Sequence, residues 1–148
     1  MQIDEQVEDR VRKAFGAVID RDGDAMVRAL EGLDEQQAAT ALWLALYAVG
    51  YVVNDVYRDG VTGEGIRVLA NQIVSTESGW ITLDTDTVTR LLGAAAKGDS
   101  SLGGVPREDV AGTAFVSGGH LLGAFSADGE PWWQYLDAIW AALEAVEP

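Results

Sequence analysis

The chain has 148 residues, of which 24 are acidic and 10 basic, giving a formal net charge of −14, and it contains no cysteine. That balance argues against nucleic acid as a partner, because phosphate binding is driven by clustered Lys and Arg that release counterions. The missing cysteines remove disulfides, thiolate metal sites and thiol nucleophiles together.

At this length the simplest expectation is a single α-helical domain over 1–148, able to bury roughly 70% of the surface its unfolded chain exposes. The start, Met1-Gln2-Ile3-Asp4-Glu5, is acidic where a secretory leader is basic, so a cytoplasmic location is expected. The first segment carries Ile3, Val7, Val11, Ala14, Phe15 and Val18 at three- and four-residue spacing, which predicts an amphipathic helix. Glu8 with Arg12 and Asp9 with Lys13 fit as i,i+4 pairs on its polar face. Asp20 to Asp24 interrupts the pattern, and a short helix capped by Asp22 or Asp24 follows, with Met26, Val27, Leu30 and Leu33 on one side.

The stretch from Ala38 to Val53 has no charged residue, and it predicts a central apolar helix within 34–57 around which the others pack. A membrane-spanning helix needs about 20 apolar residues in succession, and this run is read as too short, so no membrane is expected. Asp34 with Gln37 forms a capping-box pattern at its start, and Gly60 suits a left-handed position at its end. A fourth helix begins near Thr62 and buries Ile66, Leu69, Ala70, Ile73 and Val74. Residues 80–83 are an extended connection or a very short strand, and Asp84 or Thr85 caps a fifth helix burying Val88, Leu91, Leu92, Ala95 and Ala96.

After the glycine-rich loop 98–104, Pro106 with Glu108 and Asp109 marks another helix start. Gly112, Val116, Gly119 and Gly123 then fall on one line. Each mid-helix glycine costs about 1 kcal/mol against alanine, so such a helix implies a closely approaching backbone, read here as the Ala41, Ala45 and Ala48 face of the central helix. A hairpin turning at Ser117-Gly118-Gly119 is the rival reading. A last helix from Pro131 buries Trp132, Tyr135, Leu136, Ile139 and Leu143. The fold class is therefore all-α, a bundle of about six to seven helices.

Four features bear on function. Asp20, Asp22 and Asp24, with a Met26 carbonyl and Glu31, stand at the spacing of calcium ligands, so 20–31 resembles an EF-hand loop and implies Ca²⁺. Ala25 replaces the glycine of the sharp turn and Arg28 occupies a usual ligand position, so the leading expectation is a polar interhelical turn with no metal or cofactor. His120 forms a polar stripe with Thr113 and Ser117, and a lone histidine beside apolar residues reads as a hydrogen-bonded core or boundary residue. Ser117 and His120, three residues apart, could in principle meet, but no recognised nucleophile elbow or oxyanion-hole motif accompanies them, so the protein is read as non-catalytic.

Tyr47, Tyr51, Asn54 and Arg58 share one helix face beside Asp55 and form a candidate ligand-binding set. Trp133, Asp137 and Trp140 form a second face on the last helix and a candidate interface. The expectation from sequence is a helical protein that acts through protein contacts, with itself as a homo-oligomer or with a partner, and the alternative is a small-ligand or Ca²⁺-responsive module.

Overall fold

Helix starts in this chain are made by short polar side chains that satisfy the first free backbone N–H groups. In the computed structural model, which describes residues 2–146, Asp4, Asp22, Asp34, Thr62 and Asp84 each accept such a bond. They open α1 (Glu5–Ile19), α2 (Gly23–Leu30), α3 (Glu35–Val56), α4 (Gly63–Glu77) and α5 (Thr85–Lys97). Two further helices, α6 (Arg107–Phe125) and α7 (Trp132–Val146), complete an all-helical fold with no strand among the described residues. Met1 of the acidic start, and residues 147–148, lie outside the described residues.

The cap of α3 is reciprocal: Asp34 Oδ1 accepts from the Gln37 backbone N–H at 2.8 Å, and Gln37 Oε1 accepts from the Asp34 N–H at 3.1 Å. We expect Asp34→Ala to lower unfolding free energy by about 1 kcal/mol, measured by urea denaturation. Loss of less than a few tenths would mean that the cap is replaced by water at no cost. The helix closes at Tyr57 rather than at a glycine, and Gly60 takes its positive φ of 109° three residues later, in the turn.

Helix α3 runs for 22 residues, longer than the uncharged stretch that marks it, and by length and composition it would suffice to cross a membrane. In this fold 44% of its most apolar window is buried against other helices. It packs on α6, α5, α1 and α7. One face stays open, with Trp43 43% exposed and Tyr47 and Tyr51 half-buried.

The helix covered on all sides is α6, in which every residue from Thr113 to Leu122 is buried. The glycine-rich segment is therefore helix and not hairpin. Its glycines receive α1 rather than the alanines of α3: a Cβ on Gly118 would stand 2.5 Å from Phe15 Cε1, and one on Gly119 would stand 2.6 Å from Val18 Cβ. Phe15 also meets Phe115 with ring centroids 5.6 Å apart. The alanines do line the core, since Ala41, Ala45 and Ala48 are all buried, and α3 and α6 pack together. Small residues on α6 thus allow two helices to approach it closely. Around this centre, α2 lies on α1, α4 on α5, and residues 80–83 form an irregular connection.

Candidate functional site

The open face of α3 is one wall of a cleft of about 750 Å³. Tyr47, Tyr51, Asn54, Asp55 and Arg58, the set the sequence singles out, all line it. Residues four apart on a helix lie one above the other, and that spacing continues back to Trp43. The Trp43 and Tyr47 rings stack at 5.9 Å and 29°, and Tyr47 and Tyr51 lie 6.4 Å apart at 37°. Burial, and then the neighbouring Tyr51, raise the Tyr47 phenol above its ordinary pKa and keep it neutral.

The second wall is the end of α5 and the loop after it, from Ala94 to Ser100 with Leu102. This wall was not evident from the sequence, because nothing in a helix's composition says which neighbour its last turn meets. A signal did exist in Gly50, a glycine within an otherwise bulky apolar helix. An added Cβ at Gly50 would collide with the Ala95 carbonyl oxygen, so the glycine is what lets α5 lie directly on α3. Asn54 fastens the contact by donating its Nδ2 to the Ala96 carbonyl at 2.9 Å. Gly98 then turns the chain in the left-handed conformation, φ 69°, and its N–H bonds back to the last turn.

At the lower end of the cleft, Asp55 accepts from the Tyr135 hydroxyl at 2.6 Å and from Arg58 Nη2 at 3.3 Å. Burial first, and the Asp55 carboxylate second, push the Tyr135 phenol well above its ordinary range, so it stays a donor. Asp99 is held below its usual range by bonds from the Ser101 side chain and backbone, and it is ionised at neutral pH. The cleft is lined by an aromatic wall, two carboxylates, Asp55 and Asp99, and two cations, Arg58 and Lys97.

The other sequence-derived sites fare differently. Trp140 is not on an exposed face: it is 4% exposed, and its Nε1 donates to Glu8 Oε2 at 3.1 Å. Glu8 also holds Arg12 at 3.0 Å, and Arg12 reaches Asp137 at 2.6 Å. Trp140 and Asp137 therefore dock α7 onto α1 within one chain, which leaves Trp133, 44% exposed, as the only free member of that set.

The loop 20–31 does not gather its carboxylates. Asp20 ends α1, Asp22 spends a carboxylate oxygen on the Ala25 N–H, and α2 begins at Gly23, so Asp24 lies in a helical turn where an EF-hand loop would still be wrapping an ion. The Glu31 carbonyl accepts from Arg10 Nη1 at 2.5 Å. Among the described residues, no group of three or more His, Asp or Glu side chains is placed to hold a metal ion.

His120 is buried as expected of a lone histidine, and its partner is Glu77, whose Oε2 lies 2.8 Å from Nδ1. Glu77 Oε1 accepts from Trp80 Nε1 at 2.8 Å. The Glu77 and His120 side chains come together across 43 positions of sequence. Among the described residues His120 Nε2 and the Ser117 hydroxyl have no partner, and no bond joins Ser117 to His120. Comparison with known protein families, curated proteins and solved structures finds no match to this chain.

Proposed function

We propose that the protein is a non-catalytic binding module whose α3 and α5 cleft takes a small molecule. The observation that carries this reading is the convergence of three aromatic side chains, an amide and two carboxylates on one cleft of about 750 Å³. Ligand sites are typically concave, largely apolar, and equipped with a few polar groups that fix orientation. The Ser117, His120 and Glu77 group supports acyl transfer poorly, because Ser117 is fully buried and makes no bond to the histidine. Self-association through α7 loses weight too, with Trp140 turned inward and Trp133 left alone.

A fragment screen by thermal shift, followed by heteronuclear NMR of the hits, tests the reading. A ligand at about 100 times its Kd adds about 2.7 kcal/mol to unfolding, worth roughly 5–10 °C in a domain of this size. Hits should move the Trp43 indole and the Gly50 and Gly98 amide resonances. Tyr51→Ala should weaken them by about tenfold while costing little stability, since Tyr51 is only half-buried. Hits that all map elsewhere would remove the cleft as the site.

A further inference from the structure

We infer that the cleft selects an organic cation: an ammonium group, tertiary or quaternary, on a compact apolar body. This rests on the reading of the cleft as a ligand site and adds the sign of the ligand's charge. Four features of the site agree on that sign.

The first is the aromatic wall. Trp43, Tyr47 and Tyr51 line the cleft, and the faces of such rings are the negative part of their quadrupole, which draws a cation within about 6 Å of the ring centre. The second is the opposite wall, the C-terminal turn of α5. Aligned peptide dipoles place about half a negative charge at a helix C-terminus, and Gly50 brings this one against α3 with no side chain between. The last-turn carbonyls of Ala94, Ala95 and Ala96 accept from Gly98, Asp99 and Asn54, so this pole is partly satisfied within the chain.

The third feature is the pair of carboxylates. Asp99 is solvent-exposed, with Oδ1 held by the Ser101 backbone and hydroxyl, and Asp55 has both oxygens oriented by Tyr135 and Arg58. Arg58 and Lys97 line the cleft as well and oppose them in charge. The Arg58 side chain is 81% exposed and touches Asp55 at 3.3 Å, which is the contact of a solvated counter-ion. An arriving ammonium would compete with Arg58 for Asp55. The fourth is the chain as a whole, whose net charge of −14 raises the local concentration of cations at any concave site.

Three probes of one shape separate charge from fit: choline, 3,3-dimethylbutan-1-ol and 3,3-dimethylbutanoate carry a positive, a neutral and a negative character on nearly the same volume. Each is titrated into the labelled full chain at millimolar concentration while the Trp43 indole, Gly50 and Gly98 resonances are followed. Choline should bind about tenfold more tightly than the alcohol, and the carboxylate most weakly. Added salt should weaken choline binding. Arg58→Ala, at an exposed position, should strengthen choline binding by about threefold by freeing Asp55, whereas an anion site would be weakened by it.

Equal affinity for choline and the alcohol, preference for the carboxylate, or weaker choline binding to Arg58→Ala overturns the cation assignment while the cleft remains a ligand site. No movement of those resonances with any of the three probes, nor with hits from the fragment screen, overturns both.

Discussion

Gly50→Ala is expected to destabilise the protein by about 2–3 kcal/mol, although alanine is the better helix former by about 1 kcal/mol. Gly50 lies in the interior of α3, where its added methyl would overlap the Ala95 carbonyl oxygen and stand 2.9 Å from the Ala95 carbonyl carbon. Backbone atoms of a helix cannot rotate away as the end of a long side chain does. The clash is relieved only by moving the last turn of α5 outward, and this also lengthens the Asn54 bond to Ala96 and widens the cleft. Calorimetry should show a fall in Tm of roughly 4–10 °C for a domain of this size. Choline binding should fall in parallel.

The same substitution elsewhere provides the contrast. Gly112 and Gly93 are also helical, but an added Cβ meets nothing within 4 Å at either. Alanine there should stabilise by about 0.5–1 kcal/mol through helix propensity and a less flexible unfolded chain. The prediction is thus one of sign, fixed by surroundings rather than by residue type. A Gly50→Ala protein as stable as the parent would mean that α3 and α5 do not touch at this point.

These glycines also show what the sequence could and could not reveal. Local signals were readable wherever the physics is local: Asp34 with Gln37, Thr62 and Asp84 cap the helices they precede. The aromatic and polar stripe of α3 was readable because four-residue spacing alone places Tyr47 and Tyr51 together. A run of glycines likewise announces that some backbone comes close. Which backbone arrives is a property of the whole packing arrangement, and α1 rather than α3 takes the place over Gly118 and Gly119.

Amphipathic stripes carry a similar ambiguity. The Trp133 and Trp140 spacing is equally compatible with an exposed and a buried second face. Glu8 decides it, 132 residues away from Trp140, by offering the indole a partner inside the domain. The far wall of the cleft was hidden for the same reason, because the end of α5 carries no chemistry until α3 is laid against it.

The Glu77 and His120 pair is the extreme case, and removing half of it should have the larger effect. Glu77→Ala is expected to cost about 3 kcal/mol, within the range for breaking a buried pair by deleting one partner. Glu77 and His120 are both less than one-tenth exposed, and the two Glu77 oxygens serve His120 Nδ1 and Trp80 Nε1 at 2.8 Å each. The truncation leaves the buried ring nitrogen with no partner on that side, while its Nε2 already lacks one. Arg21, whose Nε lies 3.7 Å from Glu77, loses a weak contact besides. Glu77→Gln keeps an oxygen and the shape, and should lose about half as much.

The deciding measurement is a double-mutant cycle by urea denaturation. Glu77→Leu with His120→Phe replaces both groups by apolar side chains of similar reach and removes both ring nitrogens with the carboxylate that Nδ1 meets, while Trp80 Nε1 loses its acceptor here just as it does in Glu77→Ala. The double variant should be closer to the parent than Glu77→Ala is, because the cost lies in stranding a buried polar group rather than in losing a favourable bond. Additive losses from the two single changes would instead show that Glu77 and His120 contribute independently. That result would leave no energetic role for the contact between α4 and α6 that the 2.8 Å bond defines.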